Sequence, residues 1–401
     1  MHRFRLWTFD PPEFRTQRNR LLPIEGGDGS TLSLDFTTGV LDPRLTFTRA
    51  ANTATVINSS GLVQTVNANT PRFDHDPTTL EPKGLLIEGS ATNLMTYSEA
   101  FTPDWTDTNI TRDGTLRTSP DGTADALRVT ASAGNATIIR TSAIGTSSER
   151  TFSVWLRRVT GTGNVQYTQD NGTNWTTQAI TSSWVRYNFT HTVNHQVGIR
   201  IVNSGDAIEL WGAQLETGSG ASSYIPTGAS TVTRNADKMS MTNITSMQWN
   251  QTAGTFYLHM DVAAETNTIN FSTMMGMYTA TPVRVVRFLL NNSSGTNPRI
   301  SCNTWTTVPE QILSSLITRS TAPTVFKYAA ALSNTGQALS HVVNNGSVTT
   351  VTGTGTLQTP TRLLWHQDPS AGDTEYFPVH IRSMKYWPTN LPDATLKSLT
   401  T

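Results

Sequence analysis

The sequence contains a single cysteine, Cys302, in 401 residues, and few charged residues. One cysteine excludes an intrachain disulfide and a cluster of thiolate metal ligands. Charged residues make up 14% of the chain, against about a quarter in an average soluble domain. The 29 basic residues balance the 29 acidic residues. With a formal net charge of zero, no overall field attracts the chain to nucleic acid or anionic lipid.

Long apolar segments are also lacking. No run approaches the roughly 20 residues that span a membrane, and the N-terminus has no apolar stretch typical of a secretory signal. Uncharged polar residues take the place of charge, among them about 70 threonines, more than double an average content. Threonine favours strands and polar loops over helix interiors. The composition therefore predicts an all-β chain, and the absence of disulfides fits assembly in a reducing cytoplasm.

The chain is predicted to contain a basic arm followed by three β-rich segments. Short alternating strands with Gly, Asn and Ser turns every 8–12 residues are typical of sandwiches and jelly rolls. They predict a small adaptor at 31–95, a jelly roll at 96–240 and a second sandwich at 245–401. The arm, residues 1–30, is expected to dock on a partner protein, because nucleic-acid arms are usually longer and lysine-rich. Its docking candidates are Arg3, Arg5, Arg15, Arg18 and Arg20.

Local signals predict several turns and one helix. A hairpin is expected around Gly61 and another around Asn345-Gly346, the strongest two-residue turn signal in the sequence. Asp393 is the predicted N-cap of a short C-terminal helix with Leu396 on its apolar side. Residues 74–76, Asp-His-Asp, resemble metal ligands, but neighbouring side chains on a strand face opposite sides. We therefore predict a turn there.

Several segments resemble parts of tailed-bacteriophage virion proteins. The block GLLIEGSATNLMTYSEAF (84–101) resembles an element that precedes a carbohydrate-binding-module-like jelly roll. The segments SPDGTADALRVTA (119–131) and WGAQLETGSGASSYIPT (211–227) are similar to the opening and closing strands of that module. The C-terminal part resembles a laminin-G/concanavalin-A-like sandwich. The resemblance implies a virion surface protein, either a tail fibre or a capsid decoration. The sequence departs from long tail fibres in that it has no heptads and no collagen-like repeat.

Catalytic motifs are missing from the sequence. A glycan-cleaving sandwich needs two carboxylates that face each other across a groove, and no strand presents such a pair: Glu209 has Trp211 and Ala213 on its face. No nucleophile elbow, zinc-protease motif or phosphate loop occurs. We therefore expect a protein that is not an enzyme.

Exposed tryptophans are the candidates for saccharide binding, because a flat ring covers the apolar face of a pyranose. The alternative for each tryptophan, which the need of a sandwich for large core rings favours, is packing in a core or between domains. The candidates in the jelly roll are Trp155, Arg157, Trp175 and Trp184. Those in the second sandwich are Trp365, His366 and Asp368. No cofactor is expected, although Asp121, Asp125 and Glu216 offer oxygen ligands for a structural Ca²⁺.

Two functions remain open at this stage. The first is a non-enzymatic structural protein that decorates or cements a virion, or forms a short tail fibre. The second is an adhesin that recognises host cell-surface glycan, and a glycan depolymerase is the least favoured third. Sandwich edge strands favour packing into a symmetric oligomer, and a homotrimer is preferred. Other virion proteins are the expected partners, with no role in nucleic-acid binding or membrane insertion.

Overall fold

The computed structural model describes residues 27–50, 54–140, 148–192, 196–262, 271–281, 283–291, 299–304, 311–316, 324–333, 338–352, 357–369 and 378–401. It is built almost entirely from antiparallel β-sheets, so the predicted all-β class is confirmed. The five arginines of the basic arm lie outside the described residues. No helix in the described ranges is long and apolar enough to cross a membrane.

Within those ranges, thirty strands, two short 3₁₀ helices and one α-helix follow one another along the chain. The strands before the jelly roll are β1 (Leu32–Asp35), β2 (Thr46–Thr48), β3 (Ala54–Ile57), β4 (Val63–Val66), β5 (Arg72–His75), β6 (Pro82–Ile87) and β7 (Ala91–Asn93). The jelly-roll strands are β8 (Trp105–Thr108), β9 (Ile110–Arg112), β10 (Arg117–Thr118), β11 (Ala124–Ala131), β12 (Ala136–Arg140), β13 (Arg150–Thr160), β14 (Val165–Thr168), β15 (Thr176–Gln178), β16 (Val185–His191), β17 (Gly198–Ile201) and β18 (Ala207–Thr217). The remaining strands are β19 (Val232–Arg234), β20 (Lys238–Met241), β21 (Ala253–Val262), β22 (Phe271–Tyr278), β23 (Arg284–Asn291), β24 (Arg299–Thr304), β25 (Gln311–Leu316), β26 (Thr324–Ser333), β27 (Ala338–Val343), β28 (Thr349–Thr352), β29 (Arg362–Trp365) and β30 (Val379–Trp387). The helices are the 3₁₀ turns Phe36–Thr38 and Thr245–Met247 and the helix α1 (Asp393–Leu399).

The larger unit is a sandwich of two sheets. One sheet has the order β28-β27-β26-β21-β30-β6-β5, with β1 also paired to β30, and the other has the order β2-β20-β29-β22-β23-β24-β25. Alternate side chains of both sheets meet in one core, which contains residues from both ends of the chain, such as Leu34, Phe47, Phe256 and Tyr386. The buried Cys302 lies in this core.

The jelly roll is inserted into this sandwich. The chain leaves after β6, and the short pair β7–β19 brings the outgoing and returning segments together. Between them, a six-stranded sheet (β10-β11-β18-β13-β16, with β9 on β11) faces a five-stranded sheet (β15-β14-β17-β12-β8). A second core, with Phe152, Ile199 and Leu210 among its members, separates the two sheets.

The predicted adaptor at 31–95 is not a unit of its own. Leu32 is the register partner of Tyr386, Phe47 that of Met239, and β6 pairs with β30. Among its described residues, the β3–β4 hairpin forms a separate small sheet, and β7 pairs with β19. Strands β1, β2, β5 and β6 are too short to bury their apolar faces alone, and they do so in the sheets of the C-terminal sandwich.

A buried cluster of charged side chains lies where the jelly roll joins the sandwich. We define the junction cluster as Arg49, Arg72, Glu88, Arg234 and Asp237, all of them at most 2% exposed. Asp237 pairs with Arg49 at 3.0 Å and with Arg72, while Glu88 pairs with Arg72 at 2.6 Å and with Arg234 at 3.5 Å. Glu88, from the segment 84–101, therefore links β5 of the sandwich with β19 of the returning segment.

The predicted local elements are present. Ile57 pairs with Val63 around Gly61, which has φ +77°, and β27 and β28 form the hairpin around Asn345-Gly346. At Asp76 the carboxylate accepts the backbone N–H groups of Thr78 and Thr79, which confirms the turn set by Asp76-Pro77, although Asp74 and His75 are the last residues of β5. Helix α1 buries Leu396, although its N-cap is Pro392 and not Asp393.

Candidate functional site

The outer face of the five-stranded jelly-roll sheet carries a row of polar side chains. Side chains alternate along each strand, so the apolar neighbours point into the core while this row faces outward. The strand register aligns one member from each of the five strands. In spatial order the row consists of Thr108, Thr137, Arg200, Gln166 and Thr177. All five are half-buried or exposed.

Trp175 lies beside this row, in the tight turn between β14 and β15. Asp170 organises the turn, because its carboxylate accepts bonds from the Asn174 backbone N–H at 2.9 Å and from the Thr168 hydroxyl at 2.6 Å. Although burial acts to raise it, these hydrogen bonds leave the pKa of Asp170 below its usual value. Gly172, with φ +80°, supplies the left-handed residue, and a Cβ there would lie 3.1 Å from the indole. The turn thus fixes a half-buried tryptophan at the edge of the outer face.

Arg200 joins Trp175 to the polar row. Its guanidinium carbon lies 4.4 Å from the centroid of the Trp175 ring, and its Nε donates to Gln166 Oε1 at 2.7 Å. Gln166 Nε2 in turn donates to the Thr177 hydroxyl at 3.1 Å. Burial lowers the pKa of Arg200, but an arginine remains charged in proteins. The orientation of the Gln166 amide follows from these two partners.

These groups form the site that we call the five-strand face: Thr108, Thr137, Gln166, Trp175, Thr177 and Arg200. An arginine–tryptophan stack of this kind is worth about 0.5–1 kcal/mol at an exposed position, which restricts both side chains. Flat apolar surface stands next to hydroxyl, amide and guanidinium groups. This combination is suited to a ligand with an apolar ring face and hydroxyl edges.

Trp155 was predicted to be exposed, and that prediction was wrong. Its side chain is 8% exposed and packs against Trp211 and Tyr224, with ring centroids 5.1 and 5.3 Å away. Alternation correctly puts it on the outer side of the six-stranded sheet. The β3–β4 hairpin, through Val63, and the segment around Tyr224 cover that side, so the ring cannot stack on a saccharide.

Arg157 and Trp184 lie on the same outer side, one row further along, and remain half-buried. The Arg157 guanidinium stacks on Trp184 at 4.7 Å, and the indole N–H donates to the Thr118 carbonyl at 3.2 Å. The buried carboxylate of Glu209 pairs with both Arg157 and Arg128. Hydrogen bonds within the chain therefore already engage both predicted groups.

The three candidates in the second sandwich are not at an open edge. Trp365 is 1% exposed in the sandwich core, and His366 is 2% exposed. Asp368 is buried between Arg284, at 2.8 Å, and Arg287. The predicted polar loop is thus part of the packed interior, because β29 is an inner strand that has neighbours on both sides. The following Gly372-Asp373 lies outside the described residues.

The three calcium candidates are not brought together. The Asp121 carboxylate accepts the backbone N–H and hydroxyl of Thr123 in its own turn. Asp121 and Asp125 lie in the neighbourhood of Glu99, because burial and then the charges of these two acids raise the pKa of Glu99. Glu216 is instead buried beside Ser222. Among the described residues, no group of three His, Cys, Asp or Glu side chains is placed to hold a metal ion.

Sequence reasoning found Trp175 but missed Arg200, Gln166 and the threonines. The sequence does indicate that Gln166 and Arg200 face outward, since each stands between two apolar residues of a short strand. The alternation does not tell which strands are neighbours, and only the pairing of β14 with β17 brings Gln166 to Arg200.

Comparisons with known proteins show similarity of structure only. No protein-family profile and no curated protein sequence matches the chain. One similar solved structure is botulinum neurotoxin type C, which depends for entering cells upon interaction with two ganglioside molecules; 41% of this chain aligns with 40% of that chain at 8% identity and a TM-score of 0.33. Another is the CBM40 of the Ruminococcus gnavus IT-sialidase, where 38% of this chain aligns with 84% of that chain at 11% identity and a TM-score of 0.31. At these scores the likenesses carry no argument about the ligand of this chain.

Proposed function

We propose that this chain is a non-enzymatic, saccharide-binding protein of a bacteriophage virion surface, and that the five-strand face holds the saccharide. The observation that supports binding is the half-buried Trp175, stacked under Arg200 and flanked by a row of hydroxyl and amide groups. The virion location rests on the resemblance of residues 84–101 to phage structural proteins. In this proposal the sandwich is the scaffold and the jelly roll is the adhesive unit.

Saccharide recognition needs apolar contact and hydrogen bonding at once. The C–H face of a pyranose covers an indole, and its hydroxyls exchange hydrogen bonds with groups that are already held in place. On the five-strand face the Thr177 hydroxyl accepts from Gln166 and can donate outward. The indole N–H of Trp175 makes no hydrogen bond within the described part of the chain, and in this proposal it donates to the ligand.

The test of binding is a glycan array and titration calorimetry with the full chain. Trp175→Ala is expected to weaken binding on the order of tenfold, which corresponds to about 1.4 kcal/mol for a lost aromatic contact. Trp184→Ala is the matched control, because Trp184 is also half-buried under an arginine but lies just before β16 of the other sheet. If no glycan binds, or if the two variants lose affinity equally, the five-strand face is not the binding site.

The virion location has a separate test. We expect mass spectrometry and cryo-electron microscopy of purified particles to find the chain on the surface. Deletion of residues 1–26 is expected to leave a folded protein that does not incorporate. The deletion spares Asp28, whose carboxylate pairs with Lys385 at 2.7 Å and whose carbonyl accepts from Trp387 at 3.1 Å. Normal incorporation of the shortened chain would contradict the docking role of the arm.

The absence of catalysis is part of the same proposal. The acids closest in sequence to the five-strand face are engaged by neighbours: Asp170 within its turn, and Asp107 by Arg112 at 2.6 Å. Incubation of each bound glycan with the protein, followed by mass spectrometry, is expected to return the glycan intact. Recovery of cleaved products would identify a depolymerase instead.

A further inference from the structure

Arg200 is a charged group that has no acidic partner within the described ranges. Its Nε is bound to Gln166 and its plane is stacked on Trp175, and it pairs with no carboxylate among the described residues. Its two Nη groups make no hydrogen bond in that part of the chain, and neither of them is buried. Four N–H donors of one guanidinium therefore face solvent beside the aromatic ring.

This situation is unusual within the jelly roll. All eleven Asp and Glu residues between 94 and 230 belong to the described ranges. Seven of the nine arginines between those limits interact with one of these acids. Six form ion pairs, and the charge of Glu216 acts on the seventh, Arg186; the six are Arg112, Arg117, Arg128, Arg140, Arg157 and Arg158. Of the other two, Arg150 has its Nε and Nη1 buried without a partner. Arg200 differs from Arg150 in that neither of its two Nη groups is buried.

The acid that is nearest along the chain to Trp175 does not compensate Arg200. The Asp170 carboxylate is occupied by the Asn174 backbone and side-chain amides and by the Thr168 hydroxyl. The other members of the five-strand face, three threonines, a glutamine and a tryptophan, are neutral. The face as a whole therefore has one positive charge and offers a pair of parallel donors, the geometry that matches a carboxylate.

We propose that the five-strand face selects carboxylate-bearing saccharides, with the sugar ring on Trp175 and its carboxylate on the Nη groups of Arg200. The proposal rests on the proposed function and adds the class of ligand to it. Gln166 and Trp175 hold the guanidinium plane before the ligand arrives, so little rotational freedom is lost on binding. A neutral sugar can use the same ring contact but leaves the arginine charge without a partner.

The test uses three disaccharides of the same linkage, which end in glucose, in glucuronic acid or in 6-sulfated glucose, and the full-length chain in titration calorimetry. The wild type is expected to bind the glucuronic acid form about 10- to 100-fold more tightly than the glucose form, as a charge-assisted hydrogen-bonded contact provides. Arg200→Gln is expected to abolish this difference, because it weakens the binding of the glucuronic acid form far more than that of the glucose form. Arg200→Lys is expected to keep part of the preference, because a single ammonium cannot form the paired contact.

Arg117→Gln is the matched control, since Arg117 is a half-buried arginine of the other sheet that is paired with Asp113. It is expected to leave the preference intact.

Equal affinities of the wild type for the acidic and neutral forms, or a preference for the sulfated form, would overturn the proposal. So would equal weakening of both forms by Arg200→Gln. Failure of all three disaccharides and of the glycan array would instead overturn saccharide binding itself, and no effect of Trp175→Ala would overturn its location on the five-strand face. Circular dichroism of each variant checks that it is folded.

Discussion

Replacement of Asp237 by asparagine is the most direct test of the junction cluster. The Asp237 carboxylate accepts from Arg49 at 3.0 Å, from Arg72, and from the Glu88 backbone N–H at 3.0 Å. With three arginines and two acids, the cluster has a formal net charge of +1. The asparagine side chain would keep the shape of the original and raise that charge to +2, in a place where no cluster side chain exceeds 2% exposure.

The expected cost follows from the loss of a partner for two buried cations. Breaking a buried ion pair by removing one partner costs about 3–5 kcal/mol, because the remaining charge stays desolvated. For a unit of 150–250 residues, each kcal/mol lowers Tm by about 2–4 °C, so Asp237→Asn is expected to lower Tm by about 6–20 °C. Asp113→Asn is the control: the Asp113–Arg117 pair is about one-third exposed, and we expect a loss below about 1 kcal/mol.

Unfolding of the sandwich can be followed separately from that of the jelly roll. Cys302 is buried in the sandwich core, and burial raises the pKa of its thiol, so it reacts with iodoacetamide only when the sandwich opens. Calorimetry and urea titration with this label would measure the loss. A stability of Asp237→Asn equal to that of Asp113→Asn would refute the reasoning that the junction cluster depends on mutual compensation of its charges.

Two further predictions concern burial. Trp155→Ala is expected to destabilise the protein by about 3–5 kcal/mol in urea unfolding, as loss of a core aromatic does, and to leave the saccharide affinity of the folded protein unchanged; a selective loss of affinity would restore Trp155 to the binding site. Burial, and then the charges of Arg382 and Lys327, lower the pKa of His259 from 6.5 to about 4. Between pH 4 and pH 6.5 the His259 imidazole is therefore protonated in the unfolded chain but neutral in the folded chain. The free energy of unfolding is expected to fall as the pH decreases from 6.5 to 4. His259→Gln should reduce this slope in urea midpoints measured at pH 7 and pH 5, and identical slopes for the two proteins would contradict the assignment.

Residues that act through their nearest neighbours were predictable from the sequence. The Asn345-Gly346 and Gly61 hairpins, the turn at Asp76 and the helix at Asp393–Leu399 are present because the backbone preferences and hydrogen bonds that form them span only a few residues. The all-β class is likewise a sum of local preferences. Alternation along each strand also gave the correct side for Trp155, although not its burial.

The sequence by itself thus determined the strands, the turns and the side of each strand on which a residue lies. The tertiary structure alone decided which strands are neighbours and what covers each face. Leu32 meets Tyr386, and Gln166 meets Arg200, through pairings that join distant segments. Pairing of distant strands depends on which faces can be buried together, and no local preference specifies it. For this reason Trp155 is covered by the β3–β4 hairpin, while Trp175 remains on an open sheet face beside an arginine that no carboxylate among the described residues neutralises.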